Sequence, residues 1–334
     1  MNFEEVGLGI KIRKNIFPFK EFHSPKRPCL KLTDDQLRLI GDFNHKVKKG
    51  DIEFEAVPCL CGCGVFDLIA SVDRHSMLQR TVLCTKCGLI QSNPRMTEKE
   101  YINFYSSDYY RKSYESDEYL NICRQKYSQN VGQHIFDEIN RIKTINSDVS
   151  ILEIGAGGGW NLLPFAKSNA RVLGIDYSPS LVSLGRGYGI DMVQGTIEDI
   201  DGIFDVIIMS HVLEHLLNPV ESLKGIVKHL KDDGLIYIAV PNILNFGIGQ
   251  LQNAHTYYFD PKTFVYYCSL AGLKSVSFGP AQNIHMFGIY AAHGKGCYDS
   301  ELNNHFCEIN KHLKRFRFRY CIGKIKRLLL KEKI

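Results

Sequence analysis

Five cysteines lie between positions 59 and 87, arranged as Cys59-Leu60-Cys61-Gly62-Cys63-Gly64 and Cys84-Thr85-Lys86-Cys87-Gly88. Two such knuckles, about 20 residues apart, can fold back as hairpins and present four thiolates tetrahedrally to one Zn2+. Glycine behind a ligand permits the tight turn because it tolerates positive φ. The second half-site has the ordinary Cys-x-x-Cys spacing, whereas the first is compressed to Cys-x-Cys. Cys59, Cys61, Cys84 and Cys87 are therefore the expected ligands, with Cys63 replacing Cys59 if Cys59 is not one. A set of free buried thiols is the plainer alternative. A redox pair at Cys84 and Cys87 lacks the βαβ surround such pairs use.

The second constellation is a glycine loop, Glu153-Ile154-Gly155-Ala156-Gly157-Gly158-Gly159, between a strand-like run and a helical stretch starting near Trp160. Glycines let the backbone approach a ligand closely, and the following helix N-terminus adds partial positive charge. Asp176, 23 residues past Glu153, ends the next strand-like run, where an acid can accept hydrogen bonds from both ribose hydroxyls. A dinucleotide fingerprint needs Gly or Ala at position 160, and Trp160 is too large for the close packing that residue permits. Glu153 instead suits a cofactor that carries an ammonium group and no pyrophosphate, as S-adenosylmethionine does. A plain strand–helix turn without ligand is the alternative.

These residues need elements to position them. The chain has 334 residues, 44% hydrophobic and 23% charged, which excludes a largely disordered chain and predicts two or more units. Thr33-Asp34-Asp35-Gln36 reads as a capping box, followed by Leu37, Ile40 and Val47 and closed by Gly50. Thr97-Glu98-Lys99-Glu100 reads as a second, and Ile135, Ile139 and Ile142 are expected on one helical face. Phe66–Val72 and Thr81–Leu83 are short β-prone runs. From Val149, strand-like runs VSILEI, ARVLGID, DMVQG, FDVIIMSH and GLIYIAVPN alternate with helix-length segments, the signature of an α/β fold with a mostly parallel sheet. Leu273–Phe278 and His285–Ala292 add two further strand candidates. The expected segments are 1–56, 57–95, 96–148, 149–295 and 296–334. Leu235–Val240 is among the longest apolar runs and falls far short of a bilayer span. The opening MNFEEVGLGIKIRKN has early acids and no apolar signal core, so a cytoplasmic location is expected.

The sequence resembles the class I S-adenosylmethionine-dependent methyltransferases over about 149–292. The carrying residues are Glu153-x-Gly155-x-Gly157-x-Gly159, Asp176, Gly195-Thr196-Ile197-Glu198-Asp199, Phe204-Asp205-Val206-Ile207-Ile208, His211-Val212-Leu213-Glu214-His215 and Pro241-Asn242. The cysteine segment, Asp73-Arg74, Asn93-Pro94-Arg95 and the tyrosines of Phe104-Tyr105-x3-Tyr109-Tyr110 look like the zinc-binding segment that precedes many sugar methyltransferases of surface-polysaccharide or nucleotide-sugar pathways. The resemblance implies a Rossmann-like, doubly wound, mostly parallel seven-stranded sheet, preceded by a small zinc-binding hairpin module and a helical lid. It implies that Glu153 holds the methionyl end of the cofactor, Asp176 the ribose, and the Thr196, Ile197 and Glu198 segment the adenine. Gly195-Thr196 stands where many members have Gly-Asp, so that last contact can shift to Ile197 backbone or to Glu198.

Methyl transfer to a hydroxyl is an in-line displacement that needs alignment and a base, for which neutral His is suited near pH 7. His215 and His255 are the candidate bases, with Tyr105 and Tyr109 as lid tyrosines over the site or as core aromatics. Sugar C-methyltransferases carry Glu-His-x-x-Tyr-Phe where this chain has Ala254-His255-Thr256-Tyr257-Tyr258-Phe259. The missing carboxylate favours O-methylation over C-methylation, with N-methylation open. Alternatively His211, Glu214 and His215 could bind a divalent cation, as in some small-molecule and RNA methyltransferases; His211 also stands as a strand-end cap among the cofactor-side residues.

The charge is uneven. Residues 311–334 hold ten Lys/Arg against one acid, Glu332, a net of +9, so the rest carries −4 of the total +5. The body has no nucleic-acid footprint, and a sugar or glycan is the expected substrate. In the tail, Phe318, Ile322, Ile325 and Leu329 follow helical spacing. Such a basic amphipathic helix can rest on an anionic membrane surface, or dock on its own domain or a partner.

Overall fold

The computed structural model describes residues 10–26, 28–107, 110, 120, 130–245, 248–281, 285–292, 302 and 304–331. Residue contacts divide the chain into two units. One is Met1–Phe104 with Asn242–Thr263 and Glu301–Ile334; the other is Tyr105–Pro241 with Phe264–Ser300. Residues 242–263, which fall inside the expected 149–295 segment, group with the first.

The first unit opens with β1 (Lys11–Asn15) and α1 (Asp34–Lys49). α1 starts as its capping box predicts: the Thr33 hydroxyl accepts from the Gln36 N–H at 3.2 Å and Gln36 Oε1 accepts from the Thr33 N–H at 3.0 Å. It ends at Gly50, whose φ of 83° is left-handed. Strands β2 (Phe54–Glu55), β3 (Val65–Val72), β4 (Leu78–Cys84), β5 (Ile90–Ser92) and β6 (Arg95–Met96) follow, then α2 (Glu98–Tyr105). The second capping box does not form, because Thr97 Oγ1 is buried without a hydrogen-bond partner.

In the second unit, α3 (Gly132–Asn140) buries Ile135 and Ile139. Ile142 lies past its end and is exposed, so the expected three-residue face is two residues long. Then alternate β7 (Ser150–Ile154), α4 (Leu163–Lys167), β8 (Arg171–Asp176), α5 (Pro179–Gly187), β9 (Asp191–Gln194), β10 (Phe204–Ser210), α6 (Pro219–Val227) and β11 (Leu230–Pro241). β12 (Tyr257–Tyr258) pairs antiparallel with β5, and completes a five-stranded sheet of the first unit in the order β1-β3-β4-β5-β12. After α7 (Pro261–Leu270), β13 (Lys274–Pro280) and β14 (His285–Ala291) finish the second unit's sheet, and α8 (His305–Lys331) ends the first unit.

The second sheet has seven strands in the order β13-β14-β11-β10-β7-β8-β9. Five are parallel, while β14 runs antiparallel to both β11 and β13. This is the expected α/β class. Strand order reverses between β7 and β10, and in open parallel sheets ligands bind outside the carboxyl ends at such a switch point. The core beside the sheet is built from Ile135, Ile139, Ile151, Leu162, Phe165, Val206, Ile208 and Tyr237. A separate core, around Phe17, Phe22, Ile69, Leu83 and Leu251, fills the first unit.

Candidate active site and metal centre

The glycine loop leaves β7 at the switch point. Gly155, Gly157 and Gly159 all have positive φ, 66°, 55° and 71°, a conformation that only glycine adopts freely. Gly155 has a second constraint: a Cβ there would stand 2.6 Å from Val212 Cγ2. Glu153, at the end of β7, is buried. Its Oε1 accepts from Asn161 Nδ2 at 2.7 Å, while its Oε2 and Asn161 Oδ1 are buried without hydrogen-bond partners. Burial pushes this carboxyl up to about 8, the Asn161 hydrogen bond opposing and nearby Asp176 adding to the shift. A carboxyl held so, with its own Oε2 and the neighbouring Asn161 Oδ1 both orphaned, matches the donor-rich ammonium of a methionyl group. Asn161 escaped the sequence reading; its only signal is its place just after the loop, eight residues past Glu153.

Asp176 ends β8 and ties the loop to α5. Its Oδ2 accepts from Gly157 N at 2.7 Å and its Oδ1 from Ser178 N at 2.9 Å. Ile197–Asp199 form a short 3-10 turn capped by Thr196: Thr196 N donates to Asp199 Oδ2 at 2.8 Å and Thr196 Oγ1 to Glu198 at 2.6 Å.

β10 ends at Ser210, and the next residue, His211, donates its N–H to Ala239 O at 2.9 Å and has a φ of 60°. Non-glycine residues reach that region mainly where the surroundings hold them. His211 Nδ1 lies 3.1 Å from Glu214 Oε1, and its ring meets that of His285, on β14, at 4.4 Å. His285 was not singled out in the sequence; only pairing with Pro241 across β11 and β14 brings it to this edge. Glu214 is fully buried. Burial alone would push its carboxyl up, but the His211 hydrogen bond and the charges of His211 and His215 outweigh this and leave it lowered. His215 sits in the next 3-10 turn, and its Nδ1 lies 2.9 Å from the Tyr105 hydroxyl. Thus Tyr105, His211, Glu214 and His215 gather on the second unit. Tyr109 lies outside the described residues. His255 belongs to the first unit, where it is buried, hydrogen-bonds Gln252 and packs against Tyr258 at 5.6 Å.

In the first unit the Sγ atoms of Cys59, Cys61, Cys84 and Cys87 all lie within 4.8 Å of one another, with Cys59–Cys87 at 3.4 Å and Cys61–Cys84 at 3.6 Å. Four sulfurs about 2.3 Å from one Zn2+ stand about 3.8 Å apart, so the donor set fits that ion in number, softness and spacing. Cys63 turns aside, its sulfur accepting from Val65 N at 3.4 Å. Gly62 and Gly88 supply the turns with φ of 77° and 76°. Hydrogen bonds from Cys59, then Cys84 and Cys87, push the Cys61 thiol down, so the cluster favours a thiolate there.

Residues 127–277 match the family described as a methyltransferase domain. The chain is similar to a ubiquinone biosynthesis O-methyltransferase of Rickettsia conorii, 31% identical over 113 residues, which are 31% of this chain and 39% of that protein. Its counterpart from Rickettsia prowazekii is 33% identical over 115 residues, covering 31% and 46%. The chain thus spans less than half the length of these two relatives. Among solved structures it is similar to magnesium protoporphyrin IX methyltransferase from Synechocystis PCC 6803, at 13% identity and TM-score 0.47, covering 59% of this chain and 100% of that one. The second unit carries the fold of class I S-adenosylmethionine-dependent methyltransferases, with distant homology to small-molecule O-methyltransferases.

Proposed function

We propose that the protein transfers a methyl group from S-adenosylmethionine to a hydroxyl of a small-molecule acceptor. The domain match over 127–277 and the O-methyltransferase relatives support the reaction type. The observation that carries the cofactor is the buried Glu153 carboxyl with its orphaned oxygen, set beside Asn161 at the switch point. Glu153 and Asn161 hold the methionyl ammonium, Asp176 the ribose, and the loop glycines admit the backbone close to the ligand. When bound, the cofactor supplies an electrophilic methyl on a sulfonium. What falls to the chain's own residues is to place the acceptor hydroxyl and to take its proton.

Two routes for that proton differ in who faces the oxygen. The favoured one is metal-assisted: Glu214 and His215, whose ligand atoms lie within 4.8 Å of each other, supply a carboxylate and an imidazole for a divalent cation. Glu214 is buried with its carboxyl held low, so it is ionised, and a charged carboxylate with an imidazole nitrogen is a hard-metal donor pair, while His211 serves that carboxylate as a hydrogen-bond partner at 3.1 Å. The other route uses His215 as a metal-free base, with its Nδ1 oriented by Tyr105, as a sugar acceptor resembling those of surface-glycan pathways would use. Methyl transfer measured after brief EDTA treatment, with zinc content monitored separately, separates them. Loss of activity restored by Mg2+ supports the cation; unchanged activity assigns the proton to His215. No transfer to quinol, phenol or nucleotide-sugar panels by a protein that binds the cofactor overturns the reaction. In the first unit, Cys59, Cys61, Cys84 and Cys87 hold one structural Zn2+.

A further inference from the structure

α8 is fastened to the first unit along one stripe. Ile309 and Leu313 are buried, and Phe316 and Tyr320 pack into the same core as Phe17 and Phe22. The Phe316 ring meets Phe17 at 5.9 Å and Tyr320 meets Phe19 at 5.0 Å. At its start, His305 Nε2 lies 2.9 Å from Asp260 Oδ2, and further along the Arg317 guanidinium donates to Ile16 O at 3.2 Å. These docked positions recur every three or four residues and so occupy one side. Of the face expected from sequence to be apolar, Phe318 and Ile322 lie on the other side, and the side chains of Ile325 and Leu329 lie outside the described residues. Phe318, half a turn round from Ile309, is 68% exposed, and Ile322 is 38% exposed. Around them Lys311, Lys314, Arg315 and Arg319 are exposed too. Glu308, on the flank, is engaged by Lys262 at 2.6 Å and by His305, so it does not neutralise these cations.

The helix therefore carries two opposed apolar stripes. One is covered by its own core, and the other stands in water among four cations. We propose that this outer face seats the protein on an anionic membrane surface, with Phe318 and Ile322 entering the headgroup boundary and Lys311, Lys314, Arg315 and Arg319 meeting lipid phosphates. The apolar centre decides the partner. A nucleic-acid backbone would satisfy the cations and leave an aliphatic side chain such as Ile322 without a complement, whereas a lipid interface satisfies both. Because the inner stripe is already docked, the helix binds as a fixed edge of the first unit and does not need to fold on the membrane.

The test is co-sedimentation of the full chain with vesicles of phosphatidylcholine alone or mixed with phosphatidylglycerol, over a salt series. Binding is expected only to the anionic vesicles and should weaken with salt. Removing one basic contact lowers binding about fivefold, so K314E/R315E should lower it at least tenfold. F318S should cost about tenfold. Both changes are at exposed positions, so unchanged thermal melting shows that the fold is intact. Equal binding to neutral vesicles, no binding to either, or binding indifferent to K314E/R315E overturns the proposal. So does tight binding to an RNA duplex that survives F318S. Methyl transfer to a soluble acceptor is read in the same samples, and its outcome is independent of this one.

Discussion

Glu153 shows how one residue can be tuned by where the chain puts it. Its carboxyl, raised to about 8 by burial, is neutral below that pH until a cation arrives. An ammonium beside it favours the ionised form, so cofactor binding releases a proton below about pH 8 and is weakened as pH falls. Calorimetry in buffers of different ionisation enthalpy should show affinity rising by up to about tenfold per pH unit and levelling near pH 8. Glu153→Gln should weaken binding and abolish the slope. The same burial acts on stability: a carboxyl whose folded value is raised favours the fold at low pH and loses that contribution as pH climbs toward 8. At the acceptor side, His215→Asn should lower kcat by about 10²–10⁴-fold on either route. Tyr105→Phe, which removes only the hydroxyl 2.9 Å from His215 Nδ1, should lower it about tenfold. Single-turnover rates check both.

At the scale of elements, three strands are joined by one side chain. Asp205, near the start of β10, accepts from Ser150 N and Oγ on β7, each at 2.8 Å, and from Lys231 on β11 at 2.8 Å. Burial raises its carboxyl, yet Lys231 and Ser150 outweigh this and hold it at about 2. Its contribution is present above the ordinary carboxylate range and is lost only as pH falls toward 2. Asp205→Asn should destabilise the second unit by about 1–3 kcal/mol, read from urea unfolding at neutral pH. The strands of the second unit's sheet were legible, because period-two and fully apolar runs have few other ways to be buried, whereas β1, β2, β5, β6 and β12 are too short to show a period and were not. Helix ends were less so. Thr33 caps α1 while Thr97 does not cap α2, although both read Thr-x-x-Gln/Glu. A cap depends on the backbone angle at which the chain enters, which local sequence does not encode.

Across the whole molecule, the cysteine module and the tail share one unit that the chain visits three times. Elemental analysis should find one zinc per chain. Cys84→Ser should abolish it and lower the melting temperature sharply, since structural zinc contributes folding free energy directly. Cys63→Ser should change neither. The sequence by itself determined the residues whose chemistry is local: the glycine loop that needs positive φ, the acid eight residues before Asn161, the thiol pairs with Gly62 and Gly88 behind them. Spacing along the chain is enough there, because each motif closes within one turn. Only the tertiary structure decided which thiols converge, that His285 meets His211, that residues 242–263 join the first unit, and which side of α8 faces water. Those outcomes rest on strand pairing and burial between segments far apart in sequence. A helix with apolar residues on two sides does not say which side the core will take.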